Sequence, residues 1–227
     1  YAGLSDGSII RFDAVYGSTA KSSLFVNAGV GYVSSVQVYQ NEFFILSHHA
    51  RKVSVYGFDR QLKRSWAVSG SNNHHCKLRV LNDKVVVRDK NSLSVYTLKG
   101  KFVKQLKCLR MSDSFSALAV CGDDSVISTD YGANSVSRIN IDRDEVIWTS
   151  KCINSPSGVV CYKDRNVLVT SYNGNDGIWI LDIDTGNCGC KYSLHLHCFL
   201  YNHLSRLFGV VPLLFISCTS ALHLLCL

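Results

Sequence analysis

A short alternating strand that ends in a turn recurs along this chain, and no other feature limits the fold so tightly. Copies stand at 8–13, 53–59, 93–98, 136–142 and 178–184, with equivalent positions about 40 to 44 residues apart. A period of that length marks a stacked supersecondary unit. The later four copies follow a second strand (42–47, 84–88, 125–129, 166–170) and, before it, a third (33–39, 76–81, 115–121, 158–162). A fourth short strand comes after the repeated one, at 64–68, 102–106 and 145–149. Four strands joined by polar hairpin turns fill the period and leave no room for a helix. Val, Ile, Leu and aromatic residues occupy the alternating positions, as a half-buried pleat requires.

One such sheet cannot bury both faces alone. Sheets packed face to face around an axis can, which predicts an all-β fold, a β-propeller of four-stranded blades. A β-sandwich would also hold many short strands, but it has less reason to repeat a four-strand unit at a fixed period. The propeller is expected over 1–191, with a partial blade at 1–30 and full blades at 31–70, 71–111, 112–153 and 154–191. That is about four and a half blades, read as an incomplete six-bladed ring. The rest of the first blade and at least one further blade are expected upstream of Tyr1.

Residues 192–227 depart from the repeat. The run 207–227 carries no Lys, Arg, Asp or Glu and has the length of a membrane span. Pro212, the lack of a positive flank after the run and a Leu/His/Cys/Ser composition unlike the body argue against a span. The tail is read as an apolar, non-propeller segment, either non-native or membrane-associated.

Charge is unevenly placed. Residues 51–110 hold fifteen Lys/Arg and three Asp, a net of +12, whereas 111–190 hold five Lys/Arg and eleven acids, a net of −6. Equivalent positions of neighbouring blades stack. Lys52 with Lys90, and Arg60, Lys63 and Arg64 with Lys99, Lys101 and Lys104, are therefore the candidates for one or two basic patches. Such patches attract an acidic protein or a phosphate backbone. Single-stranded RNA would also need exposed rings, and Tyr56, Phe58, Trp66 and Tyr96 lie among these cations.

Ten cysteines show no regular pairing pattern, and no Asn-x-Ser/Thr acceptor occurs. Reduced, mostly buried cysteines and a cytoplasmic location are expected. His48-His49 and His74-His75-Cys76 lack the convergent set a metal needs, and Cys188-Gly189-Cys190 lacks a zinc-site spacer. No nucleophile elbow, phosphate-binding loop, zinc-protease helix or calcium loop occurs. Asp123-Asp124 and Asp142, Asp144 and Glu145 fall in expected hairpin turns, where Asp serves the turn. The chain is expected to use no cofactor or metal and to have no catalytic residue or small-molecule substrate.

The segment Ser155-Pro156-Ser157-Gly158-Val159-Val160, followed by 166–170, by Gly177-Ile178-Trp179-Ile180-Leu181-Asp182 and by Thr185-Gly186, resembles an NHL-type repeat. The likeness spans 154–187 well and 112–148 in part, where Asp130-Tyr131-Gly132-Ala133-Asn134 stands for the polar turn. It fades in the two basic blades and does not reach the tail. The Trp-Asp repeat family fits worse, since no blade closes on that dipeptide. The resemblance implies a propeller like those that end RING/B-box/coiled-coil ubiquitin ligases, some of which bind RNA stem-loops or proteins across a basic face. No zinc domain of such a ligase is present, so ligase activity does not carry over. The expected function is a non-catalytic interaction or scaffold module binding a protein partner. An RNA-binding propeller and a propeller enzyme are the alternatives, and a membrane would enter only through 207–227.

Overall fold

The computed structural model describes residues 1–12, 22–27, 31–47, 49–68, 76–89, 91–109, 111–112, 117–122, 124–172 and 177–192. Among the described residues the chain forms β-strands and one 3-10 turn at Lys163–Arg165. A first antiparallel sheet joins β1 (Ala2–Gly3), β2 (Ser8–Phe12) and β3 (Ser22–Asn27). A second joins β4 (Val33–Tyr39), β5 (Glu42–Ser47), β6 (Lys52–Gly57) and β7 (Leu62–Ala67). The third holds β8 (Lys77–Leu81), β9 (Lys84–Asp89), β10 (Ser92–Thr97) and β11 (Phe102–Gln105). The fourth holds β12 (Leu118–Cys121), β13 (Ser125–Asp130), β14 (Ser135–Asn140) and β15 (Glu145–Ser150). The fifth holds β16 (Pro156–Tyr162), β17 (Asn166–Ser171), β18 (Ile178–Asp182) and β19 (Cys188–Tyr192). Each sheet is a meander in chain order, as expected of a propeller blade. The apolar run 207–227 lies outside the described residues.

Contacts between sheets step from β4 to β8, β12 and β16, so the first strand of each four-stranded blade lies innermost, and β1, β2 and β3 take the second to fourth places of theirs. The middle strands are buried on both faces: Phe43, Phe44, Ile45 and Leu46 of β5 are at most 1% exposed. That double coverage is why 43–46 and 85–87 are continuous apolar runs. The outer strands β7 and β11 alternate or face solvent instead. Four apolar clusters fill the seams between successive blades. Burying one large apolar side chain there contributes about 1.5–3 kcal/mol.

Every blade carries a bulge at one step between its third and fourth strands. The steps are Ile9/Ile10, Val55/Tyr56, Val95/Tyr96, Arg138/Ile139 and Ile180/Leu181. A bulge sharpens the local twist, which swings the outer strand around the next blade. The same register identifies Val26, Arg64, Lys104, Trp148 and Cys190 as equivalent outer-strand positions.

The turn after the third strand of a blade rests on the outer strand of the blade before it. A Cβ on Gly100 would stand 2.4 Å from the Trp66 ring, and one on Gly186 would stand 2.6 Å from the Trp148 ring. Both glycines have positive φ, +87° and +71°, where other residues are strained. Gly122, at φ +69°, faces open space. Gly122→Ala should therefore cost only the backbone strain, about 1–2 kcal/mol. Gly100→Ala should cost more, because the Trp66 ring must also move. Denaturation midpoints of the two variants check this, and equal losses would refute the seating of the turn on Trp66.

Candidate binding surface

Antiparallel order decides which cations can meet. In each blade the first-to-second and third-to-fourth turns lie on one face, and the second-to-third turn lies on the other. Lys52 opens β6 on the second-to-third side, and Lys90 lies outside the described residues. Arg60, Lys63, Arg64, Lys99, Lys101 and Lys104 belong to the opposite face, in or just after the third-to-fourth turns of the second and third blades. The structure thus separates Lys52 from the other six.

Two of these six serve the seam. Arg64 reaches both oxygens of Glu42, at 2.9 and 2.5 Å, and its Nε donates to the Leu98 carbonyl of the next blade at 2.9 Å. Its guanidinium also lies 5.5 Å from the Phe44 ring centroid. The equivalent Lys104 donates to the Asp142 carbonyl at 2.9 Å, and the equivalent Trp148 Nε1 to the Ile183 carbonyl at 2.8 Å. One outer-strand position therefore clasps the following blade at three seams. The hydrogen bonds from Arg64 hold the Glu42 carboxyl below its ordinary value.

The remaining cations border apolar surface. Lys63 lies 3.7 Å from Glu42, and Arg60 sits 5.6 Å over the Phe25 ring. Arg60, Lys99 and Lys101 are exposed and make no ion pair among the described residues. Around them Phe58, Leu62, Phe102 and Val103 are 49–51% exposed. Of the aromatic residues singled out in this segment, Tyr56 and Tyr96 are core, Trp66 is half-buried, and Phe58 is exposed.

Arg88, one of the fifteen Lys/Arg of residues 51–110, is 1% exposed. Its Nη1 donates to the Thr129 carbonyl at 2.6 Å and to Ser128 Oγ at 3.4 Å, across the seam to the fourth blade. Its Nε and Nη2 are buried without a partner among the described residues. Burial pushes its pKa down to about 10, against the attraction of Asp130. The signal was available: Arg88 ends a run of three valines in a middle strand, where both faces are covered.

Four inner strands line an open axial cavity of about 290 Å³, bordered by Val36, Gln37, Arg79, Ala119, Val120, Val159, Val160 and Cys161. Gln37 presents its amide to the free edge of β8, donating to the Val80 carbonyl at 3.0 Å and accepting from the Val80 N–H at 2.8 Å. Arg79 donates to the Leu78 carbonyl at 2.7 Å, and burial lowers its pKa. Beside it, burial and the Arg79 charge bring Lys77 down to about 8. The expectation of uniformly reduced cysteines fails at one pair. Cys152 and Cys188 are disulfide-bonded with Cα atoms 6.6 Å apart, while among the described residues Cys76, Cys108, Cys121, Cys161 and Cys190 are thiols. The pairing is tertiary: the two residues are 36 positions apart in neighbouring blades. Among the described residues no group of three or more His, Cys, Asp or Glu gathers as for a metal. His48, His74 and His75 lie outside them.

No protein-family model matches the chain, and no curated protein matches it. Solved structures do. A catalytically inactive virginiamycin B lyase from Staphylococcus aureus with quinupristin aligns at TM-score 0.63 and 13% identity, over 80% of this chain and 62% of that one. Kuenenia stuttgartiensis hydrazine synthase aligns at TM-score 0.59 and 13% identity, over 81% of this chain and 53% of that one. The chain thus spans less than two thirds of either structure. At this identity the likeness shows the fold, a β-propeller, and no more.

The Arg64–Glu42 pair carries a pH signature. A carboxyl whose folded pKa is depressed adds stability that is complete above its unfolded value, here 4.5, and is lost as pH falls through the folded value. Glu42→Gln should therefore flatten the loss of stability on acidification below that value, read by urea denaturation from neutral to acid pH. Arg64→Met, which leaves the Leu98 carbonyl and Glu42 without their donor, should cost about 1–3 kcal/mol. An unchanged acid limb in Glu42→Gln would remove the pair from the account.

Proposed function

We propose that this propeller is a non-catalytic interaction module that takes an acidic, partly apolar segment of a protein partner. The segment would lie on the rim built from the third-to-fourth turns of the second and third blades. One observation carries the reading: Phe58, Leu62, Phe102 and Val103 remain about half exposed beside the exposed cations Arg60, Lys99 and Lys101. Apolar area at the centre with charge around it is the composition of a protein-recognition patch. Cations also speed encounter with an acidic partner.

The RNA alternative, which the NHL-type resemblance implies, draws on the same residues. A phosphate backbone is best tracked by a continuous row of free cations. Arg64 and Lys104 donate into the seam, and Lys52 belongs to the other face. The remaining cations stand beside the exposed aliphatic side chains of Leu62 and Val103 as well as the rings of Phe58 and Phe102, and that aliphatic area favours a protein segment.

The test is selection from a displayed peptide library biased toward Asp, Glu and large apolar residues, with single-stranded polyuridine measured in parallel. Recovered peptides should combine acids with Leu or Phe, and the triple variant Lys99→Glu/Lys101→Glu/Phe102→Ala should weaken them at least tenfold. Recovery that the variant does not change would overturn the assignment. Polyuridine binding with a steep salt slope would replace it with the RNA reading.

A further inference from the structure

The inner strands bring one pair of positions face to face at each seam. Tyr39, Leu81 and Cys121 end their strands, paired with Glu42, Lys84 and Ser125. Val80, Val120 and Cys161 sit one rung earlier in the following blades, paired with Val85, Val126 and Val167. Side chains alternate along a strand, so the last rung faces the next blade and the rung before it faces the preceding one. Tyr39 and Val80 accordingly share one cluster, and Leu81 and Val120 share the next. At the following seam the same two positions are Cys121 and Cys161, which meet in a third cluster. Two thiols thus occupy a place where the sister seams hold a ring against a valine, and a leucine against a valine.

The pair is accessible from one side. Cys161 lines the axial cavity, and Cys121, 1% exposed, lies behind it. The Cys161 thiol donates to Cys121, and that hydrogen bond with the Arg138 charge brings Cys121 down to about 7. Donation to Cys121 and burial push Cys161 up. The Cys152–Cys188 disulfide already joins the outer strand of the fifth blade to the segment that follows the fourth.

We propose that Cys121 and Cys161 are a peroxide-reactive dithiol that closes to a disulfide and locks the inner edges of the fourth and fifth blades together. Hydrogen peroxide enters through the cavity. The Cys161 proton passes along the hydrogen bond to Cys121, and the Cys161 thiolate attacks the peroxide. Its sulfur becomes a sulfenic acid and hydroxide leaves. The Cys121 thiol then attacks the sulfenic sulfur, forming the S–S bond and releasing water. Two electrons leave the sulfurs and reduce one peroxide to water and hydroxide. The closed pair would clamp a seam that the outer disulfide already holds.

The experiment is peroxide titration of the full chain, followed by differential alkylation, proteolysis and mass spectrometry. Alkylatable Cys121 and Cys161 should fall together at least tenfold before the thiols of Cys76 and Cys108 react. A cross-linked 121–161 peptide should appear, and mild dithiothreitol should restore both thiols. Cys161→Val, which installs the valine of the sister seams, should abolish the cross-link and leave Cys121 alkylatable. The proposal is overturned if the pair reacts no faster than Cys76 and Cys108. It is equally overturned if Cys161 advances to sulfinic acid without cross-linking.

Discussion

The seam between neighbouring blades carries this fold. A single four-stranded sheet here has apolar residues on both faces of its middle strands, and those faces have no cover within the blade. Phe44 and Val55 of the second blade meet Leu78, Val80 and Val85 of the third, and the pattern repeats onward. The core is therefore a series of slabs rather than one centre, and each slab needs its neighbour.

Apolar packing is non-directional, so something else must set how one blade sits on the next. Two devices do so at opposite ends of the seam. Near the axis, the Gln37 amide completes the free edge of β8 as a backbone strand would. At the circumference, Arg64, Lys104 and Trp148 donate into the following blade's turn from one repeated position. The chemistry differs at the three seams, but the donor position is the same. A guanidinium, an ammonium and an indole each reach a backbone carbonyl of the following turn, Leu98 and Ile183 at equivalent positions and Asp142 one residue further on.

That arrangement also shapes the surface. Cations taken into the seam are lost to a partner, and those left over stand among half-exposed apolar residues. In the sequence Arg64 and Lys99 look alike, as two members of a basic stretch. One holds a carboxylate and a backbone carbonyl, and the other faces solvent. Arg88 is the sharper case. Its position at the end of a valine run signals a covered strand, yet its partner Thr129 lies 41 residues away and could not be foreseen from spacing.

The sequence by itself determined the repeat, the four-strand unit, the all-β class and the asymmetry of charge. These depend on local periodicity and composition, which a strand's alternation writes directly into the chain. It also placed most strands within a few residues of where they lie. Only the tertiary structure decided which cations share a face, which ones clasp a seam, that Cys152 reaches Cys188, and that Cys121 and Cys161 meet. Each of those depends on the parity of a rung and on the twist between two blades. Contacts of that kind arise only when separate periods are stacked, so no single stretch of sequence encodes them.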